Sequence, residues 1–200
     1  MKTIMKTILY TFLVALGSFT VMAQTPKWSF EKSHCKIGFS VAHFGISETE
    51  GKFRKFDGTI TTTKPDFSDA KITFTVDVNS IDTDDEQRDG HLKSADFFDT
   101  AKYPSMTFVS KSLKPVGKNK YKLTGDLTLH GITKTITLDA IYGGTIQKDP
   151  FGNTKAGFKF YGAINRKDWG LSWNKTLDAG GVAVGNEVKI VCNIEFLKEK

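Results

Sequence analysis

The stretch Glu187-Val188-Lys189-Ile190-Val191-Cys192-Asn193-Ile194-Glu195-Phe196 decides the fold class. Val188, Ile190, Cys192, Ile194 and Phe196 fall on one face of it, and Glu187, Lys189, Asn193 and Glu195 on the other. A period of two marks a strand with one buried face, because successive side chains of extended backbone point to opposite sides. The same alternation recurs upstream. Ile72, Phe74, Val76 and Val78 alternate with Lys71, Thr73, Thr75 and Asp77, and Leu123, Leu127 and Leu129 with Lys122, Thr124, Asp126 and Thr128. Ile136 and Leu138, then Phe158, Phe160 and Ile164, repeat the pattern, and Ile37, Phe39 and Val41 face away from Lys36 and Ser40. With weaker segments at 53–61 and 105–111, eight strands are expected. Eight antiparallel strands with one apolar face each close most simply into a barrel, which leaves no open edge. A two-sheet sandwich fits the alternation as well.

The first 23 residues follow another pattern. Lys2 and Lys6 precede an uncharged apolar run from Ile8 to Met22, and Val21-Met22-Ala23 supplies small residues at the −3 and −1 positions of a secretory cleavage site. The run is short for a spanning helix and no stop-transfer flank follows, so it reads as a signal peptide, residues 1–23. Cleavage near Ala23 leaves 24–200 as one barrel domain, periplasmic or secreted, with no transmembrane segment in the mature chain.

Of the 200 residues 39% are hydrophobic and 25% charged, which excludes low-complexity disorder, a coiled coil and a multi-pass membrane protein. The basic excess, a formal net charge of +6, is almost all lysine; the arginines are Arg54, Arg88 and Arg166. Planar, bidentate recognition of phosphates and bases favours arginine, so the lysines argue against a nucleic-acid partner. Several lie in Lys111-Ser112-Leu113-Lys114-Pro115-Val116-Gly117-Lys118-Asn119-Lys120, which reads as a solvated hairpin turn.

In an up-and-down barrel the connections 1–2, 3–4, 5–6 and 7–8 share one end. They fall at 43–48, 79–104, 130–133 and 166–185, and the two long ones, of roughly 20 to 25 residues, have a length more often functional than accidental. One or two short helices are expected in the 3–4 connection. Thr83 or Asp84 would cap a helix entering Asp85-Glu86-Gln87-Arg88, and Ala95 to Asp99 would form another turn before Pro104. This end carries His43, His91 and His130, Arg88 and Arg166, and Trp169 with Trp173. A mouth is expected there.

An eight-stranded barrel is wide enough either to fill with side chains or to hold one small ligand. The inward positions mix Phe39, Phe74, Phe108, Phe158, Phe160, Leu123 and Leu127 with the small Gly125, Ala140, Ala156 and Gly162. The small residues either leave a cavity or receive the large ones. No charge is expected inside, so a ligand would be an apolar chain or ring with any polar head at the rim. Phe97-Phe98, adjacent in a loop, can both pack over the mouth from one helical turn, as a plug or as a gate.

Several separate stretches resemble the YceI-like family of polyisoprenoid-binding, lipocalin-like proteins. They are Val41-Ala42-His43-Phe44-Gly45, Gly51-Lys52-Phe53, Phe56-Asp57-Gly58, Arg88-Asp89-Gly90-His91-Leu92-Lys93-Ser94-Ala95-Asp96-Phe97-Phe98-Asp99 and Tyr103-Pro104. Gly125-Asp126-Leu127-Thr128-Leu129-His130-Gly131, Asn165-Arg166-Lys167-Asp168-Trp169-Gly170 and Val184-Gly185-Asn186-Glu187-Val188 complete the set. The resemblance runs from Trp28 to about Phe196, and the order and spacing of the stretches make it specific. Trp169, His130 and Cys35 depart from the family's usual residues. It implies an eight-stranded antiparallel lipocalin-like barrel that binds a long-chain amphiphile in a periplasmic or secreted setting. The ligand would be a polyisoprenoid, an isoprenoid quinone or a fatty-acid derivative, held for transport, storage or sequestration, with no catalysis and no cofactor.

For such a ligand, tail contacts are expected at Phe39, Phe53, Phe74, Phe108, Phe158 and Phe160. Rim and head contacts are expected at His43, His91, Phe97, Phe98, Asn165, Arg166 and Trp169. Arg166 or Arg88 would meet an anionic head; alternatively both pair with Asp82, Asp89 or Asp168 to hold the long loops. Two readings compete. A metal-dependent enzyme would use the rim histidines, but around these His-x-x-x-His, paired Cys and Glu-x-x-His spacings are missing, as are a nucleophile elbow and nucleotide-binding glycine loops in the chain. A protein-interaction module would keep the barrel solid and act through Trp173 or the Ala179-Gly180-Gly181 loop. Association of two barrels as a homodimer stays open.

Cys35 opens strand one and Cys192 lies late in strand eight, strands that barrel closure makes neighbours, and both fall on the inward parity. A Cys35–Cys192 disulfide stapling the closed end is expected in an oxidising compartment. Two buried free thiols are the alternative.

Overall fold

The computed structural model describes residues 25–178 and 180–200, so the signal-peptide reading lies outside the described residues. The strands are β1 (Lys27–Phe30), β2 (Lys36–His43), β3 (Ser47–Phe53), β4 (Phe56–Thr61), β5 (Lys71–Asp77), β6 (Ile81–Asp82), β7 (Ser105–Gly117), β8 (Lys120–Leu129), β9 (Ile132–Ile146), β10 (Lys155–Asn165) and β11 (Val184–Lys198). Among the described residues one α-helix forms, α1 (Glu86–Lys93).

These segments build the expected eight strands. β1 with β2, β3 with β4, and β5 with β6 are three long strands, each interrupted once; β7 to β11 supply the other five. The ring β1-β4-β5-β7-β8-β9-β10-β11 closes on itself where Trp28 stands opposite Lys198 and Phe30 opposite Phe196. Beyond β1, the edge of β11 is taken over by β2, with β3 and then β6 following. Every pairing is antiparallel, so the molecule is a closed eight-stranded antiparallel barrel.

The interruptions adjoin one another. A 3-10 turn, Lys32–His34, separates β1 from β2, and another, Val78–Ser80, separates β5 from β6. Between them the Arg54 N–H donates to the Ser80 carbonyl, and the Lys55 N–H to the Ser80 hydroxyl. Segments of four and two residues, β1 and β6, are too short for a period to show. β3, Ser-Glu-Thr-Glu-Gly-Lys-Phe, has one large apolar side chain, which is why its first residues read as loop.

Several local expectations are corrected. The helix cap is Asp85, whose carboxylate accepts from the Arg88 N–H, while Thr83 donates its hydroxyl and its N–H to Asp89. The segment after α1 forms hydrogen-bonded turns, so of the one or two short helices expected in this connection one is present. The lysine-rich hairpin is mostly strand, since β7 runs to Gly117 and only Lys118 and Asn119 turn, Asn119 at a φ of 57°. At the histidine end, His130-Gly131 (φ 50° and 73°) joins β8 to β9 in a two-residue turn of the left-handed kind that matches the twist of paired strands, and Phe44-Gly45 (54° and 72°) has the same conformation in the three-residue connection 44–46.

No Cys35–Cys192 disulfide forms: both thiols are free. Across the β2–β11 ladder Cys192 stands opposite Ile37, two residues from Cys35. A diagonal offset of that size spreads Cα atoms to about 7–8 Å, outside comfortable disulfide reach. The 3-10 turn before β2 instead sets Cys35 Sγ against the Glu195 backbone, 3.4 Å from both its N and its O.

The end opposite the histidines is packed solid. Trp28 lies 5.3 Å from Phe67 between ring centroids, Phe67 5.3 Å from Phe158, and Tyr142 5.0 Å from Phe158. Phe67 belongs to the loop between β4 and β5, has a φ of 60°, and is 1% exposed. Its loop is held by Asp69, which accepts from the hydroxyls of Thr62 and Thr63 and from the N–H groups of Thr63 and Lys64.

Candidate functional site

Above this plug the barrel holds a cavity of about 150 Å³ that runs toward the histidine end. Its wall is apolar: Phe39, Phe53, Phe74, Phe108 and Phe160 from the strands, with Leu, Ile, Val and Met between them. Leu92, Phe97, Phe98, Leu171 and Val184 roof it from the two long connections and the start of β11. Of all its lining residues only Arg166 is charged.

The cavity does not come from the small inward residues. A Cβ on Gly125 would lie 2.3 Å from the Phe108 ring, and one on Gly162 2.8 Å from Leu138. On Gly51 it would meet the Phe39 ring at 2.3 Å. At each of these positions a large neighbour fills the place of the missing side chain.

Of the expected tail residues, five line the cavity. Phe158 does not; it stacks under Phe160 and belongs to the plug. Of the rim set, Phe97, Phe98 and Arg166 line the cavity. His91 sits one layer out, bonded through Nε2 to Asp96 at 3.0 Å and edge-on to Phe97, with centroids 5.0 Å apart. Trp173 closes this group, 4.9 Å from His91 and 5.0 Å from Phe97, so the rings of His91 and Trp173 cap the roof from outside. His43 stacks on its neighbour Phe44 away from the cavity, and Asn165 caps the 3-10 turn Arg166–Trp169 by accepting from Lys167 N–H. Trp169 is 2% exposed, donates Nε1–H to the Leu127 carbonyl, and is a structural pillar. His130 reaches the Trp169 carbonyl through Nδ1 at 3.0 Å.

Leu92, Leu171, Val184 and Trp173 were not expected at the site. Leu92 lies in the short polar helix α1 and the others in loops or at a strand end, where no period marks which way a side chain points; only their apolar character signals them.

The arginines separate cleanly. Arg88 binds the hydroxyl and carbonyl of Thr83 and approaches Asp85 at 3.9 Å, so it braces the 3–4 connection. Arg166 is 3% exposed and, among the described residues, pairs with no acid; Nε donates to Gly185 O at 2.8 Å, and the two terminal nitrogens to Leu171 O and Val184 O. Burial pushes its pKa down, since no opposing charge offsets the loss of water. Burial likewise drives the Cys192 thiol up to about 12 and raises Cys35. Among the described residues no three His, Cys, Asp or Glu side chains converge as metal ligands would.

The model of the YceI-like domain matches residues 28–196. The chain belongs to the YceI-like family. A UPF0312 protein of Pectobacterium carotovorum subsp. carotovorum (strain PC1) is 37% identical over 199 residues, 100% of this chain and 98% of its own. The YCEI protein of Campylobacter jejuni is 32% identical, with a TM-score of 0.67 over 80% of this chain and 90% of its own. A polyisoprenoid binding domain from Saccharophagus degradans, implicated in plant cell wall breakdown, is 16% identical; its likeness, a TM-score of 0.64 over 86% of this chain and 98% of its own, is one of fold. In this YceI-like chain the matched region begins at Trp28 in the plug and ends at Phe196, which stands opposite Phe30 in the closing seam, so it spans the whole barrel.

Proposed function

We propose that this YceI-like barrel binds one long-chain amphiphile and acts as a carrier, store or sequestering protein rather than an enzyme. The observation that carries the reading is the closed barrel's cavity, walled by aromatic and aliphatic side chains and sealed below by the Trp28–Phe67–Phe158 plug. Each methylene moved from water into such a wall contributes about 0.8 kcal/mol, so part of a tail offsets the cost of association. The polyisoprenoid-binding description of the Saccharophagus neighbour supports the same ligand class. Phe39, Phe53, Phe74, Phe108 and Phe160 would hold the tail, and the head would sit beneath Phe97, Phe98 and Arg166. A cavity of about 150 Å³ is the size that holds one benzene ring in an engineered protein core, so a full chain requires the half-buried Phe39, Phe74 and Phe98 to swing aside. Residues 1–23 would direct the protein to the periplasm or the exterior.

Native mass spectrometry of protein purified from its own host, followed by extraction and identification of released lipid, tests the reading. A stoichiometric isoprenoid, quinone or fatty derivative is the expected result. Protein that carries nothing and takes up no added lipid would make the barrel a solid scaffold and overturn it.

A further inference from the structure

A guanidinium buried without a carboxylate is unusual, because carbonyl dipoles satisfy its N–H groups but do not cancel its charge. Arg54 and Arg88, both more exposed, each have an acid within 4.0 Å; Arg166, at 3% exposure, has none among the described residues. It is also the one charge on the wall of an apolar cavity. Its three hydrogen bonds engage three of the five N–H groups of a guanidinium, which leaves two. The carbonyls that hold it belong to Leu171, Val184 and Gly185, and two of those residues roof the cavity themselves. The side chain is therefore fixed in place by its own loop and the start of β11, with charge and donors to spare.

We propose that Arg166 selects an amphiphile with an anionic head, a carboxylate or a phosphate, whose oxygens complete the guanidinium's bonding inside the cavity. The inference rests on the lipid-binding reading and deepens it by naming the head. A neutral head would leave the buried charge uncompensated, and a cationic one would add a like charge beside it. A planar fork matched to two oxygens also explains why the position holds arginine rather than one of the chain's many lysines.

The test compares ligands with one tail and different heads: hexadecanoic acid, hexadecyl phosphate, hexadecan-1-ol and hexadecyltrimethylammonium. Each displaces the neutral fluorophore N-phenyl-1-naphthylamine from the purified protein at pH 8. The acid or the phosphate is expected to bind at least about tenfold more tightly than the alcohol, and the ammonium most weakly. The stronger of the two anions names the head. In Arg166→Gln the anion-to-alcohol ratio is expected to fall to about one; Arg166→Lys keeps part of the preference. Equal binding of all four by the wild-type protein, or a ratio unchanged in Arg166→Gln, overturns the inference and leaves the lipid-binding reading standing. If neither the probe nor any of the four binds, the lipid reading itself fails. The wild-type comparison decides even where Arg166→Gln does not fold.

Discussion

Phe158 and Phe160 lie parallel on the inner face of β10, ring centroids 5.6 Å apart and planes 6° from coincidence, and the boundary between plug and cavity runs between them. Two residues of one strand with the same side chain thus have different neighbours. Phe158 touches Phe67, Tyr142 and Phe196, whereas Phe160 faces open space.

Truncating each separates stability from binding. Phe158→Ala and Phe160→Ala should each destabilise the barrel, by about 3–5 kcal/mol for Phe158 and less for Phe160, whose neighbourhood is already open. Only Phe160→Ala should admit a bulkier apolar probe. Urea unfolding read alongside N-phenyl-1-naphthylamine binding checks both; equal probe binding by the two variants would show that the boundary is misplaced.

The strand count and the inward faces were legible in the sequence because a barrel wall obeys a period of two, and β5, β8, β10 and β11 carry it without interruption. Of the lining phenylalanines, Phe39, Phe74, Phe108 and Phe160 follow directly from that parity. Phe158 has the same parity and yet lies outside the cavity, because its fate depends on Phe67, a loop residue in a left-handed conformation 91 positions away in sequence. Gly125 and Gly162 left two readings open for a related reason: whether a small residue leaves space is decided by the rotamer of a neighbour on the next strand. The roof was half legible, since Phe97-Phe98 declares itself by its apolar character, but Trp173 meets His91 only through the fold.

Trp173 covers the roof without lining the cavity, so its loss should act on exchange rather than on the depth of the site. Two edge or tilted aromatic pairs are worth about 1–2 kcal/mol together. Trp173→Ala is therefore expected to speed probe release by about tenfold in stopped-flow displacement, with a small change in thermal stability. An unchanged release rate would mean that ligand enters elsewhere than past this cap.

The two cysteines should behave as distinct free thiols. In native protein at pH 8, Cys35, half-buried against Glu195, should react slowly with iodoacetamide, and Cys192, buried with its pKa near 12, should not react on the same timescale. In denaturant both should label without prior reduction. Mass spectrometry that finds two unreactive cysteines in denatured, unreduced protein would restore the disulfide.

Asp69 gives the plug a pH dependence with a definite sign. Burial alone would raise its pKa, but the hydroxyls of Thr62 and Thr63 and the N–H groups of Thr63 and Lys64 hold the carboxyl far below the usual carboxylate range. A carboxylate depressed on folding stabilises fully above its unfolded pKa, near 4, and that stabilisation fades as pH falls toward the folded value. Asp69→Ala should therefore cost about 1–2 kcal/mol at pH 7, a figure reduced for the group's partial exposure. The gap to wild type should stay constant from pH 7 to pH 5 and narrow between pH 4 and pH 2. Because the same loop carries Phe67, the variant should also loosen the barrel's closed end, which hydrogen exchange at the Phe67 and Ala70 amides would register. A gap that holds unchanged down to pH 2 would show that the loop is kept in place by the packing of Phe67 alone.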